Sequence, residues 1–580
     1  MDETSRHDVF DFDDFRLDAV ERILRRGGAV VPLTPRVFDT LLYFVRHHGR
    51  VLEKDELMRE IWPDAIVEEN NLTQNVSTLR QALGQTGDAR RYIVTIPGRG
   101  YRFAAHVRGS AEPAKPAVAA GAKAIAVLPF VNMSADPENE YFCDGLAEEL
   151  ITALSKIEDL KVAARTSAFT FKGKDAHIGE IAQVLGVNVI LEGSVRRSGD
   201  RLRVTAQLID AATGYHLWSE RYDRQMQDVF DLQDDIALAV VEALKITLLG
   251  GQKAAVLKHH TGNTEAYDLY LKGRYFWSRQ APQDFRKSRD YFQRAVEADP
   301  EYALGYCGLA FFYGFGSSWG FIPPDAGWPQ AEAAASKALA LDATLGEAHL
   351  ALAALKMVSE RDWPASEREL GRAIALNPKL AEVHSVRGLF QRARGRFDEA
   401  IAEGRRALHL DPLSVRFARN LGGTYYFARR YGEAIRLYLD ALEFDPNNVP
   451  LLQDLGDAYE RNGVVDEAIA AWQKAYALTG GDAFASAMPG IHTAEGFGAV
   501  VRASGEFTLQ RLERRTQAGE HVPAIDYVRA YVKSGNTERA LTWLEKACEE
   551  RNAFALFIST DPAFDTLRED SRFAALAPAL

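Results

Sequence analysis

The chain has 580 residues, more than one hydrophobic core organises, since a domain holds roughly 100 to 200 residues. Its length therefore predicts several domains and argues against a single compact enzyme domain. An apolar share of 47% and a charged share of 26% are typical of globular proteins and exclude the disordered, collagen-like and membrane-embedded classes. The net charge of -12 disfavours a polyanionic partner unless basic residues are concentrated in one region.

Cysteine content and the first residues indicate the compartment. The three cysteines, Cys143, Cys307 and Cys548, are far apart and form no C-x-x-C pair, so neither a disulfide framework nor a cysteine zinc site is expected. The chain starts with Asp2 and Glu3 and lacks the basic and then apolar pattern of a secretory signal. No stretch approaches the roughly 18 uncharged apolar residues that cross a bilayer. We therefore expect a cytoplasmic protein with no membrane partner.

Changes of residue pattern along the chain predict three domains. Residues 111–122 are rich in alanine and proline and lack periodicity, which is typical of a linker. Helices and a hairpin are expected before this segment, strands alternating with helices after it, and almost only helices beyond about Thr264. The predicted boundaries are 1–108 for the first domain, 109–123 for the linker, 124–250 for the central domain and 264–580 for the helical domain.

Three helices are predicted in the first domain. Thr34 precedes Pro35, and proline suits the first turn of a helix because its missing amide donor has no partner there. A short second helix must end at Trp62 because Pro63 cannot continue it. The third helix is expected over 70–83. Its buried stripe consists of Leu72, Val76, Leu79 and Leu83.

The other face of the third helix is polar and carries no acidic residue, which is the chemistry that reads base edges and phosphates. It consists of Asn71, Thr73, Gln74, Asn75, Ser77, Thr78 and Arg80. A hairpin with a basic tip is expected next, from 92–96 through a Pro-Gly-Arg-Gly turn to 101–103. Between Arg80 and Arg108, six arginines stand against one acidic residue, which is an electrostatic footprint for phosphate. A merely solvated helix surface is the alternative.

These motifs resemble the effector domain of the OmpR/PhoB winged-helix family over about residues 8–106. The resemblance rests on L-T-P-R-V-F-D-T-L-L, N-N-L-T-Q-N-V-S-T-L-R-Q-A-L and the wing G-R-G-Y-R-F. It implies that the third helix, the recognition helix, enters the major groove and that the wing touches the adjacent minor groove or its backbone. The implied DNA contacts are Asn70, Asn71, Thr73, Gln74, Ser77, Thr78 and Arg80 on the helix, and Arg99 and Arg102 on the wing.

Two side chains and one loop of this region have further interpretations. Asn75 either pairs with adenine or turns toward the edge of the core, and Arg102 either contacts DNA or forms a structural ion pair. Residues 63–69 correspond to the loop that contacts RNA polymerase in the family, which makes RNA polymerase a second expected partner. Fewer than ten residues precede the domain, in place of the receiver of response regulators. The layout is thus closer to ToxR-, CadC- and HilA-type regulators.

The central domain is predicted to be α/β. Strands are expected at 124–131, 161–165, 187–197 and 201–210, and helices at 140–157, 178–185 and 228–248. It resembles the TolB-like N-terminal domain through A-V-L-P-F, F-C-D-G-L-A-E-E-L and L-W-S-E-R-Y-D. It shows no catalytic, cofactor-binding or metal-ligating constellation. Arg196, Arg197, Arg201 and Arg203 fit an anionic effector and equally fit alternation on an exposed strand.

The last domain repeats with a period of 34 residues, the period of the tetratricopeptide repeat (TPR). Asn377-Pro378, Asp411-Pro412 and Asp445-Pro446 recur at this interval. About seven repeats are expected, with an insertion over 314–330 and a less regular stretch over 480–519. Their concave groove usually binds a protein or peptide partner. The aromatic residues that either line this groove or pack between helices are Tyr270, Trp277, Tyr306, Tyr313, Tyr425 and Tyr426.

The predicted fold is multidomain: an N-terminal winged helix-turn-helix domain (α+β), a central TolB-like α/β domain and a C-terminal all-α TPR solenoid. This order predicts a sequence-specific transcriptional regulator that reads double-stranded promoter DNA. The central and TPR domains then serve as sensor, oligomerisation or protein-interaction modules, and a homo-oligomer on tandem sites follows the family pattern. One alternative is a TPR scaffold whose winged helix mediates protein contacts, and another is a cyclase-related signalling protein without a catalytic domain. No enzymatic activity, cofactor or metal is expected.

Overall fold

The structure is a computed structural model, and it divides the chain into two units, Met1–Ala117 and Val118–Leu580. It describes residues 9–19, 23–27, 29–31, 33–48, 51–61, 69–84, 92–96, 100–103, 105, 123–174, 176–246, 248, 252–279, 282–550 and 553–576. The predicted winged helix falls within the first unit. The predicted central and TPR domains both fall within the second.

The N-terminal unit contains two small antiparallel sheets and three helices. Its elements are β1 (Val9–Phe12), β2 (Phe15–Asp18), β3 (Ile23–Arg26), β4 (Ala29–Val31), α1 (Pro35–Arg46), β5 (Val51–Glu53), α2 (Lys54–Ile61), α3 (Glu69–Ala82), β6 (Ile93–Ile96) and β7 (Gly100–Phe103). The first sheet has the order β1-β2-β3-β4 and the second the order β5-β7-β6. Three helices followed by the β6–β7 hairpin give the predicted winged helix.

The apolar spacing of the helices explains the core of this unit. Helix α1 begins at Pro35 after the N-cap residue Thr34, whose side chain makes no capping hydrogen bond. The predicted stripe of α3 is confirmed, because Leu72, Val76 and Leu79 are at most 1% exposed. The same apolar cluster contains Phe12, Phe15, Leu41, Phe44 and Phe103. Burial of one face of α3 leaves its polar face toward solvent.

The central part of the second unit is an α/β domain with a mixed sheet. Its elements are β8 (Lys123–Val127), β9 (Val131–Asn132), α4 (Glu140–Ser155), β10 (Leu160–Val162), α5 (Arg165–Phe169), α6 (Ile178–Leu185), β11 (Val189–Ser198), β12 (Arg201–Asp210), β13 (His216–Gln225) and α7 (Val229–Ala243). The sheet has the order β10-β8-β11-β12-β13, and β9 also pairs with β11. Strands β10, β8 and β11 are parallel, whereas β11, β12 and β13 are antiparallel.

The central domain differs from its sequence prediction at several places. The strand expected over 124–131 ends at Val127, and Val131 begins the separate strand β9. The strand expected over 161–165 ends at Val162, and Arg165 begins the unpredicted helix α5. The helix expected to reach residue 248 ends at Ala243, followed by Lys245 with a φ of 51°. Strand β13 was missed because both of its faces are largely polar and exposed, so it lacks the alternation of a half-buried strand.

Paired helices make up the rest of the second unit. They are α8 (Gln252–Val256), α9 (Thr264–Arg279), α10 (Pro282–Ala298), α11 (Ala303–Ser318), α12 (Pro324–Leu341), α13 (Gly346–Leu355), α14 (Trp363–Leu376), α15 (Ala381–Ala393), α16 (Phe397–Leu410), α17 (Val415–Phe427), α18 (Tyr431–Phe444), α19 (Val449–Arg461), α20 (Val465–Ala477), α21 (Asp482–Glu495), α22 (Phe497–Gln517), α23 (Ala524–Lys533), α24 (Thr537–Glu549) and α25 (Ser571–Leu576). Consecutive helices from α9 to α24 pack as hairpins, which gives eight pairs in the described residues.

The structure has eight helical hairpins in its described residues, where the sequence predicted about seven repeats. The expected insertion over 314–330 is helical: α11 continues to Ser318 and α12 starts at Pro324. The stretch predicted to be less regular is the hairpin of α21 and α22. Gly388, Gly422 and Gly456 also recur every 34 residues. Gly422 lets paired helices approach closely, because a Cβ on it would lie 2.2 Å from the Tyr438 ring.

Three observations limit the chemistry of the described part of the chain. None of its helices is both long and apolar enough to span a membrane. Within the same residues, no group of three His, Cys, Asp or Glu side chains is arranged to hold a metal ion. Burial raises the pKa of the Cys143 thiol to about 12, which keeps it protonated at neutral pH.

Candidate nucleic-acid interface

The exposed face of α3 brings together four of the nine predicted DNA contacts. Thr73, Gln74, Ser77 and Thr78 are all exposed on it, opposite the buried leucine and valine stripe. Thr78 Oγ1 donates a hydrogen bond to the carbonyl of Gln74 at 3.0 Å, which holds that side chain along the helix. The backbones of Asn70 and Asn71 lie in the first turn, where the helix dipole and amide groups favour a phosphate.

Arg80 links the recognition helix to the wing. Its Nε and Nη2 donate to the carbonyl of Ile93 at 3.3 and 3.2 Å, and Nη2 also donates to Thr95 Oγ1 at 2.7 Å. These bonds join the last turn of α3 to strand β6, so the half-buried guanidinium orients the wing. In the sequence, the charge of Arg80 suggested a DNA contact. Strand β6, which Arg80 binds in the structure, lies further along the chain, and no sequence pattern indicated this contact.

Asn75 turns toward the core edge, the second of its two predicted interpretations. Its Nδ2 donates to Thr40 Oγ1 at 3.2 Å, and fully buried Thr40 donates in turn to the carbonyl of Arg36 at 2.7 Å. Arg36 Nη1 donates to the carbonyl of Ile61, the last residue of α2, at 2.7 Å. This polar chain fixes the angles between α1, α2 and α3. Arg36 and Thr40 were not predicted from the sequence, although a threonine among the apolar positions of α1 was a signal.

The wing is described only in its strands. Arg102 is exposed on β7, opposite Val94 of β6. Arg99 lies outside the described residues, and so does the segment 63–68 of the loop predicted to contact RNA polymerase. The structure therefore places one of the two predicted wing contacts at an accessible position.

A second polar cluster holds the central domain on the first TPR helix. Tyr141 Oη of α4 donates to Asp268 Oδ1 of α9 at 2.6 Å and accepts from Arg197 Nη1 at 2.7 Å. Arg197 Nη1 also lies 3.1 Å from Asp268 Oδ1, and Lys272 Nζ lies 2.9 Å from Asp268 Oδ2. One carboxylate thus joins a tyrosine and two cations across the two domains. Arg197, a candidate for an anionic effector, is occupied in this cluster.

A buried carboxylate of α4 forms another link to the repeats. Glu148 is 8% exposed and contacts Arg165 of α5 and Arg274 of α9, the latter at 3.0 Å. Burial, with the nearby charge of Arg274, lowers the pKa of Arg165 to about 10, so the guanidinium remains charged at neutral pH. A buried charge costs free energy unless it is paired, and Glu148 is paired with an arginine from each domain.

The central domain also reaches later repeats through the loops before their first helices. Lys379 Nζ donates to the carbonyls of Ile157 at 3.1 Å and Ser155 at 3.3 Å. Ser167 Oγ donates to Asp411 Oδ1 at 2.5 Å and accepts from the backbone N–H of Leu413 at 3.0 Å. The contacts span α9 to the start of α17. The central domain therefore contacts the repeats at several places between α9 and the start of α17.

The end of the chain folds back on the middle repeats. The Arg392 guanidinium of α15 lies between the rings of Phe427 and Phe557, at 4.6 and 4.1 Å. Arg429 donates to both carboxylate oxygens of Asp565, at 2.6 and 2.9 Å. Residues 553–567 are therefore part of the packed solenoid.

Of the six aromatic residues predicted either to line the groove or to pack between helices, three are buried and three are partly exposed. Tyr270, Tyr425 and Tyr426 are at most 9% exposed and belong to the core. Trp277, Tyr306 and Tyr313 are half-buried. Packing between helices, one of the two interpretations, thus applies to the first three.

Family comparisons identify domains along the chain. The family described as transcriptional regulatory protein, C terminal, matches residues 28–103, and the HilA/YgeH-like transcriptional regulator second domain matches residues 121–239. Tetratricopeptide repeat families match residues 350–415, 405–449 and 437–470. The matches follow the same order as the domains of the structure.

Three relatives match different lengths of the chain. The chain is 40% identical over 248 residues to the candidate adenylate cyclase 3 of Rhizobium meliloti (strain 1021), covering 42% of this chain and 40% of that protein. It is 23% identical over 336 residues to the transcriptional regulator HilA of Salmonella typhi, covering 57% and 58%. It is 40% identical over 81 residues to the transcriptional activator CadC of Escherichia coli (strain K12), covering 14% and 16%.

In all three comparisons the chain spans less than two thirds of the relative's own length. The family matches nevertheless agree with the winged helix, the mixed α/β domain and the helical hairpins seen in the structure. The chain therefore combines a winged-helix domain of the transcriptional regulators, a HilA-like second domain and tetratricopeptide repeats.

Proposed function

We propose that this protein is a sequence-specific DNA-binding transcriptional regulator that reads double-stranded promoter DNA with α3. The observation that carries the proposal is the exposed polar face formed by Thr73, Gln74, Ser77 and Thr78 on a helix whose other face is buried. Such a helix fits the major groove, where amide and hydroxyl groups distinguish base edges. The match of residues 28–103 to transcriptional regulators supports the same use.

Each side chain of the interface has a proposed role. Gln74 reads a base, since an amide pairs bidentately with adenine, and Thr73, Ser77 and Thr78 contact bases or phosphates. Asn70 and Asn71 bind phosphate at the start of α3, and Arg99 and Arg102 contact the backbone from the wing. Arg80 supplies positive charge near the DNA while its bonds to β6 set the distance between helix and wing.

The test is selection of bound sites from random duplex DNA by the full-length protein, followed by affinity measurements over a salt series. We expect one enriched motif. Gln74→Ala should relax specificity at one base pair at a cost of about 1–3 kcal/mol, because it removes a base contact. Arg102→Ala should weaken binding to all sequences and reduce the salt slope by about one, because it removes a phosphate contact.

Arg201→Ala is the matched control, since it removes the same charge from an exposed position in the other unit. Its DNA affinity and salt slope should equal those of the wild type. No enrichment by the full-length protein, or equal losses in Arg102→Ala and Arg201→Ala, would overturn the proposal. The TPR scaffold would then be favoured.

The other domains are proposed to serve regulation. The TPR hairpins bind a protein or peptide partner, and the loop at 63–69 contacts RNA polymerase, as the winged-helix resemblance implies. We further infer a non-enzymatic, cytoplasmic protein that acts as an oligomer on tandem sites, with the domain boundaries 1–108, 109–123, 124–250 and 264–580. The central domain is proposed to be TolB-like in fold. The mixed α/β sheet supports this relationship.

A further inference from the structure

The last strand of the central sheet has a neighbour on one side only. Strand β13 has ten residues and pairs with β12 along its length, and no strand in the described ranges pairs with its other edge. Arg221 and Asp223 are 66% and 53% exposed on it, and Tyr215 just before it is 77% exposed. A long, open edge strand presents backbone groups that pair readily with another strand.

The hydrogen bonds at the end of β13 show which backbone groups face outward. The N–H of Met226 donates to the carbonyl of Asp200 at 2.7 Å, in register with the β12–β13 ladder. Because antiparallel bonding alternates, the even-numbered residues from 220 to 224 direct their backbone groups toward β12. The N–H of Gln225 donates instead to Asp228 Oδ2 at 3.3 Å, which agrees with this alternation. The odd-numbered residues 219, 221 and 223 therefore direct theirs outward.

This alternation restricts how a second copy can pair. In an antiparallel pair, residues whose backbone groups face the partner strand must stand opposite each other. The second copy can therefore shift only by steps that keep odd-numbered residues opposite odd-numbered residues. With Tyr222 on the twofold axis, Arg221 of each copy faces Asp223 of the other. Glu220 likewise faces Arg224, which gives four opposite-charge pairs in total. The adjacent registers place Arg221 opposite Arg221 or Asp223 opposite Asp223, and facing like charges destabilise a sheet.

We propose that the occupant of this edge is a second copy of the chain, which pairs antiparallel through β13 with Tyr222 on the axis. A strand of another sequence would form these four opposite-charge pairs only if it carried the same pattern of charges. The pattern therefore favours a second copy of the chain. Asp223 already binds Arg203 of β12 at 2.7 Å, so pairing extends an ion-pair ladder across the two sheets. This inference goes beyond DNA reading and holds whether or not α3 binds DNA.

Sedimentation of the full-length protein tests the pairing. Between about 1 and 100 µM the mass should rise from that of the 64.4 kDa chain to twice that value, as expected for a small interface. Arg221→Pro removes an outward N–H while leaving the bonds to β12, so it should keep the fold and abolish the dimer. Arg221→Glu should weaken the dimer about tenfold or more, because it creates two like-charge pairs with Asp223.

Charge complementation makes the register itself testable. Arg221→Glu and Asp223→Lys should each dimerise about tenfold or more weakly alone, whereas an equimolar mixture should form a heterodimer as readily as the wild type dimerises, because every facing charge is then opposite. Arg201→Glu is the control, since it changes the same charge on β12 away from the edge and should leave the dimer intact. A wild-type protein that stays monomeric over the whole range would overturn the proposal. A dimer that persists in Arg221→Pro, or a mixture that stays monomeric, would overturn it too.

Discussion

One phenolic oxygen makes two of the hydrogen bonds in the cluster that joins the central domain to the first TPR helix. Tyr141 is 6% exposed, and its Oη bonds both Asp268 and Arg197. Tyr141→Phe removes these two bonds but keeps the ring and the Arg197–Asp268 ion pair at 3.1 Å. Hydrogen bonds to charged partners contribute about 1.5–3 kcal/mol, and the surviving ion pair places this substitution in the lower part of that range. We expect the free energy of unfolding to fall by about 2 kcal/mol.

Tryptophan fluorescence during urea unfolding measures this loss. Seven of the eight tryptophans lie beyond residue 117, so the signal reports on the unit that contains the contact. Tyr215→Phe is the matched control, because Tyr215 is 77% exposed and its substitution should cost less than about 0.5 kcal/mol. Hydrogen exchange should also accelerate in α4 and α9 in Tyr141→Phe. Equal losses in the two variants, with unchanged exchange, would refute the role of the oxygen.

Two further predictions concern the central domain and its junction with the repeats. Gly193→Ala should destabilise the protein by about 1–3 kcal/mol in the same unfolding assay, because its Cβ would lie 2.2 Å from the carbonyl of Thr205. Gly179→Ala, whose nearest neighbour would be 3.8 Å away, should be neutral, and a neutral Gly193→Ala would contradict the packing. Burial and two neighbouring lysines lower the pKa of His260 to about 4, although Asp342 lies 3.7 Å away. Because the unfolded state then binds more protons between about pH 4 and 6.5, stability should fall by up to about 3 kcal/mol as pH decreases through that window. His260→Gln should flatten this dependence, and an unchanged slope would exclude His260 as its source.

Periodic burial made most of the fold predictable from sequence. The stripe of α3 and the 34-residue spacing of the repeats each follow from one face that must be buried, and the structure confirms both. Strand β13 escaped prediction for the opposite reason. Its side chains alternate little between core and solvent, so its strand conformation depends on pairing with β12 rather than on its own pattern.

The candidate interface was predictable in composition but less so in side-chain roles. Polarity without acidic residues marked the face of α3, where Gln74 and Ser77 are exposed as expected. It did not show that Arg80 binds β6 or that Asn75 binds Thr40. Thr40 and β6 come close to α3 only in the tertiary fold. The sequence of α3 alone therefore suggests that every polar residue on its exposed face contacts DNA.

The proposed pairing strand and recognition helix lie in different units, so their actions on DNA can be separated by one substitution. If β13 joins two copies, the second winged helix binds its site at an effective concentration in the millimolar range, set by the linker. The wild type should then bind DNA with two selected sites about 100-fold tighter than DNA with one. Arg221→Pro should lose that gain while its affinity for a single site, which depends on the winged helix, stays unchanged. A variant that keeps the two-site gain would show that cooperation on DNA does not pass through β13. A variant that loses single-site affinity as well would show that the strand supports the winged helix by a different route.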